Sequence, residues 1–250
     1  MKTAEYIQAF IPAAGLGTRL KPLTDKTPKA LVTVGGLSLL ERAIAKVKSL
    51  GARHIVVNIH HFADQIADFV KSKEWGADIV LSDERTQLLD TGGAIRHAAH
   101  LFKPDLPILI HNVDVLSAID LTEMIAKHQR EKNLVTLAVS KRDTSRLLLF
   151  NNSGLLCGWH NKQDDTYLWS DRPVKKHTAL AFSGIAVVSS ELPSMLPPDD
   201  SAYPIIPEYL RLAAKYPLSK FEHCATDWID VGKIDTLMQL EEPRYGKFLA

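Results

Sequence analysis

The sequence predicts an α/β fold with a mixed, mostly parallel central sheet and helices on both faces. In the first half, short apolar runs alternate with segments whose apolar residues recur every three or four positions. The apolar runs are nearly continuous, as in parallel strands that are buried on both sides. After about residue 133, hairpin-like pairs of apolar runs replace this alternation. We therefore predict one domain over residues 1–250, with one half at 1–133 and the other at 134–250.

The first half predicts four strands and three helices. Ser38 is a candidate N-cap for a helix with apolar residues at helical spacing up to Leu50, and Gly51 marks its end. A second helix is predicted around residues 66–70 and a third over 92–101. The predicted strands are 6–11, 55–59, 79–81 and 107–110.

The second half predicts strands at 134–139 and 180–188 and a hairpin that joins 147–150 to 155–159. Residues 161–178 are polar and irregular, so we predict a loop there. Pro193, Pro197 and Pro198 are expected to interrupt regular structure. The remaining periodicity predicts helices at 205–215 and 234–242.

Composition excludes several classes of partner. The chain has 30 basic and 29 acidic residues, a net charge of +1, which predicts no nucleic-acid or anionic-membrane binding. Cys157 and Cys224 have no metal-type spacing and make no disulfide scaffold, so a reducing compartment is favoured. No apolar stretch approaches the length of a membrane-spanning helix. We expect a cytoplasmic protein, a monomer or a weak homo-oligomer.

A loop of small residues follows the first strand and is followed by two cations. Small residues allow the backbone to approach a ligand, and successive N–H groups can bind an anion. Arg19 adds a five-donor fork and Lys29 a point charge. Leu20 replaces the third glycine of a dinucleotide fingerprint, and no P-loop run occurs. From these residues alone, the alternative that this segment is only a strand-to-loop turn with incidental cations remains open.

The longer string has Ala13, Ala14, Gly15, Gly17, Thr18 and Arg19, followed by Pro28-Lys29-Ala30-Leu31. It closely resembles the signature of the sugar-1-phosphate nucleotidyltransferases. The resemblance implies a Rossmann-like, nucleotide-diphospho-sugar transferase fold and Mg²⁺-dependent transfer of a nucleotidyl group from an NTP to a sugar 1-phosphate. It also implies catalytic roles for Arg19 and Lys29. The residues that it places against the nucleotide are Ala13, Ala14, Gly15, Gly17 and Thr18.

Two distant carboxylates are candidate metal ligands. Asp114 directly follows a predicted strand, where ligands bind in open parallel sheets, although a helix-capping role stays open. The family resemblance implies that Asp114 and Asp230 bind Mg²⁺ and that Asn112 binds the nucleotide. Val113 stands where the family usually has glycine, which predicts an added side chain near the ribose or the sugar.

The segment 88–95 resembles the part of the family that recognises the base, with Asp90 at the reading position and Thr91 and Gly92 beside it. An ionised carboxylate only accepts hydrogen bonds, so the imino N–H of uracil or guanine suits it best. We therefore expect UTP or GTP. Helix capping by Asp90, with Thr91 sharing that task, is the alternative.

Three residues are predicted to bind the sugar 1-phosphate: Gly184, Trp159 and Asn161. Gly184 lies in a segment whose glycine backbone approaches the sugar in the family, although a plain β-bulge is nearly as compatible. Trp159 is equally compatible with a core position.

The compact layout is most similar to N-acetylmuramate-1-phosphate uridylyltransferases, then to mannose- or heptose-1-phosphate guanylyltransferases. A catalytically silent binder of nucleotide sugars is the alternative of another class. All four expected charged groups, Arg19, Lys29, Asp114 and Asp230, are present, which favours an enzyme.

Overall fold

A computed structural model of the chain describes residues 6–198, 201–240 and 242–248. The strands are β1 (Gln8–Pro12), β2 (Thr33–Val34), β3 (Leu37–Ser38), β4 (His54–Ile59), β5 (Asp78–Asp83), β6 (Ile108–His111), β7 (Val115–Ser117), β8 (Val135–Ser140), β9 (Arg146–Phe150), β10 (Leu156–Asn161), β11 (Thr166–Trp169), β12 (Thr178–Val188), β13 (Leu218–Glu222) and β14 (Trp228–Asp230). The helices are α1 (Leu39–Ser49), α2 (Ala63–Lys71), α3 (Asp90–His97), α4 (Leu121–Glu131), α5 (Leu192–Met195), α6 (Ile205–Ala213) and α7 (Ile234–Gln239). Short 3₁₀ turns cover Thr18–Leu20, Lys29–Leu31, Ala98–Leu101, Ala225–Asp227 and Pro243–Phe248.

One ten-stranded sheet contains strands from both halves of the chain. Its order is β11-β10-β9-β12-β6-β1-β4-β5, and β8 pairs with β12 and β13. The pairs among β6, β1, β4 and β5 are parallel, whereas β12 pairs antiparallel with β6, β8 and β9. The mixed α/β fold predicted from the sequence is confirmed. Because the parallel strands end at one edge, the loops that follow them lie together there.

The sheet is buried on both faces because the side chains of its central strands alternate between two cores. On β1, Ala9 and Ile11 pack in one core with α1, α2 and α4, whereas Phe10 packs in the other with α3 and α6. Strand side chains alternate with a period of two, so each face has its own apolar set. This explains why the strand sequences read as continuous apolar runs.

Helix α1 begins as predicted at Ser38. The Ser38 hydroxyl accepts the backbone N–H of Glu41, and the Glu41 carboxylate accepts the N–H of Ser38, which completes a capping box. Gly51 follows the helix with φ 93°, a conformation that glycine adopts at little cost. Helix α4, capped by Asp120, was absent from the sequence prediction.

Two predictions for the second half are wrong. Residues 161–178 contain strand β11, which pairs antiparallel with β10. The strand is an exposed edge of only four residues, and the polar residues on both sides hide it, although Tyr167 and Trp169 supply the aromatic preference of a strand. Pro193 does not interrupt regular structure, because it lies in the first turn of α5, where its missing N–H costs nothing.

Candidate active site

The small-residue loop leaves β1 at the carboxyl edge of the sheet and is tightly folded. Gly17 has φ 65°, and a Cβ added there would lie 2.9 Å from Thr24 Cγ2. The Thr24 hydroxyl donates to the Gly17 carbonyl at 2.8 Å. Leu20, where a dinucleotide site needs glycine, is fully buried in the core. Both the backbone conformation and the close packing therefore require glycine at position 17.

Asn58 and Glu84 hold the start of this loop. Asn58 Oδ1 accepts the backbone N–H groups of Ala13 at 2.6 Å and Ala14 at 3.3 Å, and Asn58 Nδ2 donates to Glu84 Oε1 at 2.8 Å. The prediction that successive loop N–H groups bind an anion therefore does not extend to Ala13 and Ala14 in this conformation. Burial raises the pKa of the Glu84 carboxyl, and the hydrogen bonds from Asn58 and Leu89 partly oppose this.

Lys29 reaches back under the loop to Asp114. Its Nζ lies 2.8 Å from Asp114 Oδ2, and both side chains are largely buried, 15% and 10% exposed. A Cβ on Gly15 would lie 3.5 Å from Lys29 Nζ, so the ammonium group packs against the loop backbone. Asp114 follows β6 and precedes β7, with no helix to cap, so the capping alternative is wrong. Two charges that are distant in sequence form one ion pair at this edge of the sheet.

Asp230 joins this pair through a small second sheet. Strand β14 pairs with β7, with Asp230 opposite Val115, and the Val231 N–H donates to the Asp114 carbonyl at 2.9 Å. A Cβ on Gly232 would lie 2.7 Å from Asp114 Oδ2, 2.8 Å from Asp230 Oδ1 and 3.0 Å from an amino nitrogen of Arg19. The two carboxylates and an amino nitrogen of Arg19 therefore lie close to one point beside Gly232.

This donor set fits a divalent metal ion of the magnesium type. Mg²⁺ binds through one or two carboxylates and completes its shell with substrate phosphates and water. Two carboxylate oxygens lie within 3 Å of the Cβ position at Gly232. No group of three or more His, Cys, Asp or Glu side chains suited to a metal occurs among the described residues. The site therefore suits an ion that needs substrate oxygens as well as protein ligands.

A cavity of about 410 Å³ opens in front of the loop. The predicted nucleotide residues Ala14, Gly15, Asp90, Thr91 and Asn112 line it together with Lys29 and Asp114. The other lining residues are Pro12, Asn58, Glu84, Leu88, Ala94 and Ala202. The exposed carboxylate of Asp90 places a hydrogen-bond acceptor in this cavity, as a nucleobase with an N–H donor requires. Glu84 is buried, and its two carboxylate oxygens accept from Asn58 and Leu89.

Asp90 does not cap helix α3. Its φ is 57°, and its carboxylate accepts the N–H of the adjacent Thr91 at 2.6 Å. The N–H groups of Gly92 and Gly93 point instead to the Tyr203 carbonyl, at 2.9 and 3.4 Å. A Cβ on Gly92 would lie 2.5 Å from the Tyr203 ring. Close packing against Tyr203 therefore explains glycine at position 92. The Asp90 side chain stays exposed beside the cavity.

The predicted sugar-binding residues are divided in space. Gly184 lies at a bulge of β12 with φ 70°, and a Cβ there would lie 2.8 Å from Asn112 Nδ2. The bulge is present and Asn112 lies close to Gly184, whereas the approach of Gly184 to the sugar stays a prediction. Trp159 and Asn161 lie on β10 and do not line the cavity; Trp159 packs partly buried against the second core. Their predicted contact with the sugar stays a prediction.

Val113 corrects one expectation. Its side chain is 1% exposed and packs in the core with Ile11 and Val115, so it adds nothing near the ribose or the sugar. The side chain points into the core because Val113 lies in the turn between β6 and β7, and its neighbour Asp114 faces Lys29.

The sequence prediction missed Asn58 and Glu84 in this cavity, and Arg142, which lines a neighbouring cavity together with Asp230. A signal existed for the first two, since Asn58 is the polar residue in an apolar strand and Glu84 directly follows β5. Polar side chains where parallel strands end are candidates for ligand binding. Arg142 follows β8, and nothing in the local pattern distinguishes it from its neighbours Lys141 and Arg146.

The sequence is similar to those of known nucleotidyltransferases. The sequence model of the nucleotidyl transferase family matches residues 8–147. The chain is 31% identical over 220 residues to the N-acetylmuramate alpha-1-phosphate uridylyltransferase of Caulobacter vibrioides, covering 82% of this chain and 84% of that one. It is 31% identical over 141 residues to a probable mannose-1-phosphate guanylyltransferase of Oryza sativa, covering 55% of this chain and 39% of that one.

The fold is also found among solved structures. A putative glucose-1-phosphate thymidylyltransferase from Bacillus anthracis superposes with a TM-score of 0.74 at 17% identity, covering 97% of this chain and 95% of that one. This likeness identifies the nucleotide-diphospho-sugar transferase fold. None of the helices in the described ranges is long and apolar enough to cross a membrane.

Proposed function

Because the chain belongs to the nucleotidyl transferase family, we propose that it transfers the uridylyl group of UTP to N-acetylmuramate 1-phosphate. The products are a UDP-sugar and pyrophosphate. The observation that carries the choice of substrate is the extent of similarity. It spans 82% of the chain for the uridylyltransferase of Caulobacter vibrioides but 55% for the guanylyltransferase of Oryza sativa.

The nucleotide occupies the 410 Å³ cavity in this proposal. The uracil imino N–H donates to Asp90, whose carboxylate uses one oxygen for Thr91 and keeps further lone pairs for the base. The loop from Gly15 to Thr18 lies along the phosphates. Lys29, paired with Asp114, places its positive charge beside the α-phosphate. Arg19 is half-exposed at the loop tip, where it can follow the leaving pyrophosphate.

Catalysis then depends on position and charge rather than on acid–base chemistry. A phosphate oxygen of the sugar 1-phosphate is already ionised, so it needs no general base to attack the α-phosphorus in line. Asp114 and Asp230 would hold Mg²⁺, which orients the α-phosphate and neutralises its charge when bound. The chain's own cations supply preorganised charge to the same oxygens.

The test is pyrophosphate release with Mg²⁺, using UTP or GTP against a panel of sugar 1-phosphates. We expect release with UTP and N-acetylmuramate 1-phosphate, its loss with a chelator, and its recovery when Mg²⁺ is restored. Release only with GTP and mannose or heptose 1-phosphates would support a guanylyltransferase, which Asp90 also allows because guanine has an imino N–H. Absence of release with every pair, from folded protein, would contradict the proposal and favour a silent binder.

A further inference from the structure

A second cavity, of about 480 Å³, lies beside Asp230, whereas the nucleotide cavity lies beside Asp114. Asp114 lines the nucleotide cavity and Asp230 lines the second one, and the two carboxylates converge near Gly232. Most of the charged side chains that line the second cavity are cationic: Arg19, Arg142 and Lys233, against Asp230 and Asp143. The Asp143 carboxylate is fully exposed and pairs with Lys162 at 3.4 Å. The second cavity is therefore suited to an anion.

Arg142 is held rigidly in the wall of this cavity. One amino nitrogen, Nη1, donates to the hydroxyls of Ser140 and Ser183, at 2.9 Å each, and the other donates to the Phe182 carbonyl. The guanidinium carbon lies 3.9 Å from the ring centre of Trp228. Trp228 in turn donates its indole N–H to the Ser183 carbonyl at 2.6 Å. A guanidinium group held by stacking on its face and by hydrogen bonds at its edge loses little conformational entropy when it binds a ligand.

Part of the Arg142 guanidinium has no partner. A guanidinium has five N–H donors, and within the described ranges no acceptor lies on Nε or on the second hydrogen of Nη2. Burial lowers the pKa of Arg142, and the nearby Asp230 carboxylate opposes this. A partly buried cation with free donors is costly unless an anion completes its contacts. Lys233 is exposed on the same cavity and also has no ion-pair partner in those ranges.

We propose that Arg142 and Lys233 bind the phosphate group of the sugar 1-phosphate in the second cavity. This inference rests on the proposed function and names the phosphate-binding residues of its second substrate. Arg142 is fixed to Phe182 and Ser183, directly before Gly184, which approaches Asn112 of the nucleotide cavity. The sugar phosphate then lies beside Asp230 and the α-phosphate beside Asp114, so both lie next to the candidate metal site.

The competing occupant is pyrophosphate, because Arg19 lines the same cavity. The experiment compares Lys233→Gln and Arg142→Lys with the wild type in both directions of the reaction. Lys233→Gln changes an exposed side chain and leaves the fold intact. Arg142→Lys keeps the charge but loses the fork and the stacked face, so it is not conservative here. Lys141→Gln is the matched control, since Lys141 is 78% exposed, lies 3.9 Å from Glu222 and does not line the cavity.

We expect the KM for the sugar 1-phosphate to rise about 10- to 100-fold in both variants, as for the loss of charge-assisted hydrogen bonds. The KM for UTP should change less than about twofold, and Lys141→Gln should match the wild type. An unchanged KM for the sugar 1-phosphate, or a rise confined to pyrophosphate in the reverse reaction, would overturn the assignment.

Calorimetric titration with N-acetylmuramate 1-phosphate measures binding without turnover, so it tests the phosphate site independently of the proposed function. Weaker binding to both variants than to the wild type supports the phosphate site even if the wild type releases no pyrophosphate. Equal binding to all the variants refutes it, whatever the turnover.

Discussion

A methyl group added at Gly232 would enter the space where the two candidate metal-binding carboxylates meet. The added Cβ would lie 2.7 Å from Asp114 Oδ2 and 2.8 Å from Asp230 Oδ1. Since ordinary Cβ contacts begin near 3.4 Å, Gly232→Ala must displace each oxygen by about 0.6–0.7 Å. The atoms in the way are the ends of side chains, so the chain can accommodate the change without unfolding.

The expected effect is on turnover rather than on stability. A misplacement of about 1 Å can cost about 10²-fold in rate. Displacement of both carboxylates by about 0.6–0.7 Å therefore predicts a loss of roughly 10- to 100-fold in kcat and weaker apparent binding of Mg²⁺. The free energy of unfolding should change by less than about 1 kcal/mol, because loss of glycine also restricts the unfolded chain.

The assay is steady-state pyrophosphate release at saturating UTP and sugar 1-phosphate over a range of Mg²⁺ concentrations, with urea unfolding in parallel. Gly246→Ala is the matched control, because a Cβ there meets no atom within 4 Å, and it should behave as the wild type. If Gly232→Ala kept the wild-type kcat and Mg²⁺ dependence, the convergence of Asp114 and Asp230 would have no part in the reaction.

Three further predictions concern single side chains. Lys29→Ala should lower kcat by at least about 10²- to 10³-fold while circular dichroism shows an intact fold; turnover near the wild type would contradict its role. Asn58→Leu leaves the N–H groups of Ala13 and Ala14 without their acceptor and removes one of the two hydrogen bonds to the Glu84 carboxylate. The unfolding free energy should therefore fall by about 1–3 kcal/mol and the KM for UTP should rise, as urea titration and kinetics would show; an unchanged KM would argue against loop positioning. Burial lowers the pKa of His128 from 6.5 to about 4, so the unfolded state binds its proton more readily and the protein should lose about 2 kcal/mol of stability between pH 7 and pH 5 from this group alone; His128→Gln should remove that part of the slope, and an unchanged slope would show that His128 is not buried neutral.

The sequence predicted the parallel half of the fold well because its strands are apolar on both faces. Runs such as residues 55–59 are buried completely, so their composition shows their location. Strand β11 was missed because it is a four-residue exposed edge whose polar flanking residues resemble a loop. The short strands β7 and β14 carry no periodic signal of their own, and they exist because they pair with each other.

In the candidate site, the residues near one another in sequence were easier to predict than those that meet through space. Asp90, Thr91 and Asn112, which the sequence predicted to bind the nucleotide, line the 410 Å³ cavity, and their binding of a nucleotide stays a prediction. Val113 was assigned to the wrong environment, since a strand-end residue can face either the core or the ligand. Asn58 and Arg142 have ordinary local surroundings, and their contacts come from other elements of the chain.

The sequence by itself determined the fold class, the small-residue loop and the identity of the charged groups. These depend on local composition and periodicity, which are present in the sequence whatever conformation the chain adopts. Only the tertiary structure decided that Asp230 meets Asp114, that Asn58 occupies the N–H groups of Ala13 and Ala14, and that Arg142 lines a second cavity. The physical reason is that each of these contacts joins distant segments, so its geometry follows from strand pairing and packing rather than from the residues on either side.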